Sequence, residues 1–204
     1  WSMSEIPDGF EMPEKEAPHI RPSASLVATR DGADGIEILF CHRVPQMPSF
    51  PDFWAFPGGG VTHFDRAAAE ALPGFSNDDK GAGLACLMRE MVEEVGWAPA
   101  SNKIIEVNPE IRAKVLIDGK NWHPLAEVGS LPSDTTRFNL ITIRTTPPLS
   151  PMRFANQFFH LHDPSPPEPT LPDGRSEFDE MCWLTPDAAL TAWKNSEMRI
   201  PPPQ

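Results

Sequence analysis

Glu90, Glu93 and Glu94 stand at positions i, i+3 and i+4 in the run Arg89-Glu90-Met91-Val92-Glu93-Glu94-Val95-Gly96-Trp97. On a helix those spacings put three carboxylates on one face, with neighbours about 6 Å apart. Like charges bunched in this way destabilise an isolated helix, so the face needs a positive partner. A divalent cation such as Mg²⁺ is the natural candidate, because hard cations take oxygen ligands. The competing reading is a solvated acidic face, with Arg89 and Lys80 making surface pairs worth little.

Upstream, Phe56-Pro57-Gly58-Gly59-Gly60 supplies a second piece. Proline cannot continue a strand ladder, and glycine reaches backbone conformations closed to other residues. Main-chain groups at such a turn can approach a ligand closely. A glycine turn feeding, after an interval, into a carboxylate-bearing helix suits a diphosphate and metal site.

The elements that must position these residues are legible in outline. Leu84, Leu87, Met88, Met91, Val92 and Val95 recur at helical spacing and predict a helix over residues 81–95, closed by Gly96 in the left-handed conformation. Packing that apolar stripe on a sheet turns the three glutamates toward the glycine turn. Residues 25–30 and 36–41 read as a β-hairpin around a turn at 31–35. Residues 45–51 form a stiff loop and 53–56 a short strand into the glycines. Residues 104–115 fit helix or strand. Further strands are predicted at 138–144, 156–161 and 180–184, with a Pro-rich loop over 162–175. Thr185 as N-cap and Pro186 at the first helical position predict a helix over 187–195.

Composition narrows the function classes. The chain has 204 residues, enough for one well-buried domain. A net charge of −12 disfavours a polynucleotide groove, which needs a basic surface. Cys41, Cys86 and Cys182 are odd in number and widely spaced, so neither a zinc site nor a disulfide framework is indicated. Free thiols fit a reducing cytosol, and a cytoplasmic location without membrane attachment is expected. Residues 1–20, acidic and punctuated by proline, read as a peripheral arm before a single domain over 21–204. Trp stands first in place of Met, which suggests a natural start upstream.

The spacing of Gly59, Asp65 and Arg-Glu-x-x-Glu-Glu-x-Gly resembles the Nudix box of the Nudix hydrolases, Gly-x5-Glu-x7-Arg-Glu-U-x-Glu-Glu-x-Gly-U, where U is a bulky apolar residue. Two features depart from it. Asp65 replaces the usual glutamate, and 23 residues separate Asp65 from Arg89 in place of seven, an insertion of 16. The insert includes the loop-like run 74–81. A split box of this kind is similar to the coenzyme A diphosphatase subgroup. So are Arg153-Phe154-x-x-x-Phe158-Phe159, Glu177 ahead of Trp183, and the ending Ile200-Pro201-Pro202-Pro203-Gln204, beyond which that subgroup normally continues.

The resemblance implies the Nudix fold, a mixed β-sheet in an α/β/α sandwich. It implies Mg²⁺ or Mn²⁺ held by Glu90, Glu93, Glu94 and the carbonyl of Gly59 or Gly58. Arg89 is expected to pair with acids of the box, Glu93 and Asp65, and so to hold the catalytic geometry. Glu177 is the candidate general base or extra metal ligand, ahead of Glu180. Arg43 and Arg153 are candidate phosphate clamps, and Gly58 is placed at the substrate. His160, His162, Trp54 and Phe56 read as structural, and His63 as a residue of the box loop.

The implied activity is hydrolysis of a small-molecule diphosphate, with coenzyme A or acyl-coenzyme A yielding 3′,5′-ADP and 4′-phosphopantetheine. The alternatives are an ADP-ribose or NADH hydrolase, a non-catalytic Nudix-like nucleotide sensor, and a partner-binding domain using prolines 164–172. The box itself selects no leaving group.

Overall fold

The computed structural model describes residues 18–148, 150, 152–174 and 177–201. Most of the arm expected over 1–20, and the ending at 202–204, lie outside the described residues.

Strand β1 (Ile20–Gly32) is the axis of the molecule. Its far end forms the expected hairpin with β2 (Gly35–Arg43), pairing Thr29 with Ile38 and Gly32 with Gly35. Gly35 has φ 121°, a value glycine takes at little cost. After β3 (Trp54–Ala55), the glycine run is itself a short strand, β4 (Gly58–Gly60), antiparallel to the near end of β1 with Gly59 opposite Ala24. Beyond come α1 (His63–Ala71) and α2 (Asp79–Glu90), whose last turn, Met91–Val95, widens to a π-helix.

A small antiparallel pair, β5 (Trp97–Pro99) with β6 (Ile104–Glu106), precedes α3 (Pro109–Ile117) and α4 (Trp122–Glu127). Strand β7 (Asn139–Thr145) returns antiparallel to β8 (Arg153–His162), which lies parallel to β1 with Leu26 opposite Phe159. Strand β9 (Phe178–Leu184) adds to β2, and α5 (Pro186–Lys194) follows. The mixed sheet runs β3-β2-β1-β8-β7, with β4 on β1 and β9 on β2.

Both faces of the sheet are covered. On one, Leu84, Leu87, Met88, Met91, Val92 and Val95 pack against Leu26, Phe159 and Leu161. Each such side chain contributes about 1.5–3 kcal/mol on full burial. On the other, Phe40, Ala189 and Met198 form a smaller cluster with Ile38, Leu184, Trp54 and Phe56. Trp54 and Phe56 are thus packing residues, as read from the sequence. The result is the expected α/β/α sandwich. Cys41, Cys86 and Cys182 are free thiols.

The segment 104–115 resolves into β6 and then α3, whose N-cap Asn108 accepts from Glu110 N and is followed by Pro109. The strand expected over 53–56 shrinks to two residues. The predicted helix over 81–95 starts at Asp79, capped by Asp78, and is α-helical only to Glu90. Helices α1 and α4 have no counterpart among the expected elements.

Candidate active site

The glycine bend lies directly beneath the acidic turn because only glycine leaves room there. A Cβ on Gly59 would run into the Glu90 carboxylate, and one on Gly58, at φ 146°, would strike the main chain of Ala24 and Ser25. The Gly58 N–H donates to Glu94 Oε2 at 2.7 Å. Packing of the apolar stripe on the sheet therefore aims Glu90 and Glu94 at the bend, as the sequence requires. The Gly59 carbonyl, a candidate metal ligand, accepts from the Cys86 thiol at 3.6 Å.

Arg89 organises the acids. Its Nε and Nη2 donate to the two oxygens of Asp65 at 2.9 and 3.2 Å, and its Nη1 lies 2.9 Å from both Glu90 Oε1 and Glu93 Oε2. Both expected partners, Asp65 and Glu93, are found. The shorter aspartate reaches because α1 carries it inward. Asp65 sits in the first turn of α1 and closes a capping box with Thr62, accepting from Thr62 N and Oγ1 at 2.8 and 2.9 Å. The Thr62-x-x-Asp65 pattern ahead of an alanine run was the signal for α1 in the sequence.

Three carboxylates, Asp65, Glu90 and Glu93, thus crowd around one guanidinium, and Glu94 adds a fourth acid on the Glu90 side. Burial works against the Arg89 charge, but Glu90 and the Asp65 hydrogen bond outweigh it and its pKa rises. Burial pushes Glu90 up to about 7; Glu93 and Glu177 add to the rise and Arg89 opposes it. Glu94 is raised well above the ordinary range, by burial first and then by Glu90 and Glu177, against the Gly58 N–H and Arg43. Glu93 is raised for the same reason, burial, with Arg89 opposing.

Glu177 is an exposed residue whose charge is felt by Glu90 and Glu94. Glu180 instead bears on Cys182. The Arg43 guanidinium acts on Glu94, donates from Nε to the Ser49 carbonyl at 3.1 Å, and lies 6.0 Å from the Phe178 ring centroid. Arg153 stands apart from this group in its bonding: its Nε donates to the Thr146 carbonyl at 3.2 Å. His63 opens α1 and packs on Phe64. His160 and His162 both bond to Thr29 Oγ1, at 2.9 and 3.0 Å.

The donor set fits a hard cation. Every candidate ligand is an oxygen, and the buried excess of negative charge is what a divalent ion neutralises. Among the described residues no three His, Cys, Asp or Glu side chains are already gathered around a common point. Their oxygens are taken up by Arg89 and by the Gly58 N–H.

No family model matches the sequence, and no curated protein matches it at a significant level. Among solved structures, a Nudix hydrolase from Alicyclobacillus acidocaldarius is similar, with 28% identity, 91% of this chain and 87% of that chain covered, and a TM-score of 0.78. The Nudix domain of Shewanella oneidensis NrtR, complexed with ADP ribose, is more distant at 9% identity, covering 90% and 80%, with a TM-score of 0.48. A C. elegans Ap4A hydrolase shares 17% identity over 86% and 88%, with a TM-score of 0.41. The chain has the Nudix hydrolase fold. The first of these likenesses and the acid cluster together support an enzyme of the Nudix diphosphatase type.

Proposed function

We propose that this Nudix-fold protein is a Mg²⁺- or Mn²⁺-dependent diphosphatase acting on coenzyme A or an acyl-coenzyme A, releasing 3′,5′-ADP and the 4′-phosphopantetheine product. One observation carries the hydrolase reading: Glu94 is buried and Glu90 half-buried, both are raised in pKa, and both are aimed at a bend whose Gly58 and Gly59 leave no room for a side chain. The coenzyme A assignment rests on the 23 residues lying between Asp65 and Arg89, with Arg153-Phe154, Glu177 and Trp183 downstream.

Glu90, Glu93, Glu94 and the Gly59 carbonyl would hold the cation, which when bound neutralises diphosphate charge and acidifies water. Arg89 keeps the glutamates in register through Asp65. Glu177, exposed beside the cluster, takes the proton from the attacking water. Water adds to one phosphorus, the bridging P–O bond breaks, and the other phosphate leaves with the bridging oxygen. Arg43, and Arg153 at the start of β8, are the arginines proposed to grip phosphate. The three thiols suit a reducing cytoplasm, and no helix among the described residues is long and apolar enough to cross a membrane.

The test is hydrolysis of coenzyme A, ADP-ribose, NADH and a diadenosine polyphosphate with Mn²⁺, products resolved by mass spectrometry. The expected result is 3′,5′-ADP from coenzyme A. Intact coenzyme A beside hydrolysed ADP-ribose or NADH overturns the substrate assignment. A protein that binds these nucleotides without turning any over is a sensor, and the hydrolase reading fails.

A further inference from the structure

The acidic turn ends in a buried arrangement that the reaction scheme above does not use. The last carbonyls of a helix lack intrahelical donors, and here other elements supply them. Gly96 N reaches back five residues to Met91 O, closing the π-turn. Arg112 Nη2, from α3, donates to the Glu93 carbonyl at 3.0 Å. The Val95 carbonyl accepts from Thr170 N at 3.1 Å, and the Gly96 carbonyl from Val107 N at 2.8 Å.

Arg112 is itself pinned from the opposite side. Its Nη2 also donates to the Thr170 carbonyl at 2.8 Å and its Nη1 to Thr170 Oγ1 at 2.9 Å. The residue is 8% exposed. Gly96 makes room for it: a Cβ there would lie 2.9 Å from Arg112 Nη1 and 2.7 Å from Thr170 Oγ1. So Gly96 serves two needs, a left-handed φ of 73° and a seat for a guanidinium. A positive charge at a helix C-terminus also opposes the negative end of the dipole.

We propose that Arg112, locked by Thr170 of the Pro-rich loop, is a positioning residue that fixes the π-turn and thereby the direction of Glu93 and Glu94. The assignment rests on the reading of those glutamates as the cation-binding acids. A π-turn leaves the residues after Glu90 without the register an α-helix imposes on its own. The clamp on the Glu93 carbonyl replaces that register with a tertiary contact. Loss of the clamp lets the turn relax toward ordinary α-geometry and rotates Glu94 away from the Gly58 N–H.

Four measurements on Arg112→Ala, Arg112→Lys and Thr170→Val decide it: amide hydrogen exchange over residues 91–96, Mn²⁺ affinity by calorimetry, kcat and KM, and Tm without metal. Arg112→Ala is expected to speed exchange in the turn at least tenfold. It should weaken Mn²⁺ binding by about 10–100-fold, the usual cost of losing a group that orients metal ligands, and lower kcat similarly with KM little changed. Arg112→Lys, still able to donate to the Glu93 carbonyl, should recover part of each loss, and Thr170→Val should give the mildest version. A lower Tm with exchange, Mn²⁺ affinity and kcat all unaltered makes Arg112 a stability residue and overturns the proposal. Wild-type protein with neither turnover nor Mn²⁺ binding overturns the hydrolase reading instead. The exchange rates still decide the clamp in that case: unchanged rates refute it, faster rates in Arg112→Ala support it.

Discussion

Asp163 and Glu94 are both buried carboxylates, 3% and 6% exposed, in opposite surroundings. Asp163 is met by donors from three directions: Ile104 N at 2.5 Å, Ser165 N at 3.1 Å and Arg137 Nη2 at 3.3 Å. It staples β6 to the end of β8 and the loop beyond. Among the described residues Glu94 accepts from the Gly58 N–H and feels the Arg43 charge, against the carboxylates of Glu90 and Glu177. A buried acid surrounded by donors is structural, since its charge is already compensated. A buried acid beside other acids is under-compensated, and on the proposed reading a bound cation supplies what is missing.

Replacing each acid should separate the two roles. Glu94→Gln keeps an acceptor for Gly58 N and removes a crowded charge. Turnover should fall on the order of 10³-fold while the metal-free Tm holds or rises, by steady-state kinetics and thermal melts. A lowered Tm with retained turnover breaks the contrast. Asp163→Ala should do the reverse. It takes the acceptor from the Ile104 amide and the ion pair from Arg137, whose Nη2 keeps the His162 carbonyl, and costs about 3 kcal/mol, which for a domain of this size lowers Tm by about 6–12 °C. Turnover per folded molecule stays the same.

Asp65→Glu sharpens the comparison further. The residue is the glutamate of the Nudix pattern, yet the extra methylene has no room between Thr62 and Arg89. A loss of about 1–2 kcal/mol is expected in chemical denaturation. A gain in stability shows that the capping box does not hold Asp65 in place.

The smallest effect is in pH. Glu90 sits at about 7 in the folded protein, above its unfolded value, so between the two the unfolded chain holds fewer protons. Stability of the metal-free protein therefore falls as pH rises toward about 7 and then levels, a penalty absent in acid. Mn²⁺ should flatten the slope. Melts that gain stability between pH 5 and 7 without metal, in a Glu90-dependent way, contradict the crowding of the acids.

Much of this was legible because local and tertiary signals agreed. The stripe Leu84 to Val95 and the glutamates on its opposite face fix how the long helix must face the sheet, and the glycines fix where the main chain can pass under Glu90. Pro186 marks a helix start through its own backbone chemistry, whereas 104–115 fits helix or strand because it holds one of each. The π-turn was not legible, since no residue between Met91 and Val95 demands five residues in place of four. Arg112 carried no signal either, because its partners, Glu93 and Thr170, lie 19 and 58 positions away. The bond from Arg153 Nε to the Thr146 carbonyl carried no sequence signal either, since it spans the β7–β8 connection.

The parallel pairing of β1 with β8 has a consequence for how the protein is made. Ile20 meets Arg153 and Thr29 meets His162, so the central strand waits for a partner synthesised more than a hundred residues later. Such long-range closure is slow, since loop entropy is spent before the pairing repays it. A nascent chain halted before β8 emerges has its acid-bearing helix complete but half its floor missing, and leaves one edge of β1 open to other strands. Chaperone dependence during translation is the expected physiological trace of that topology.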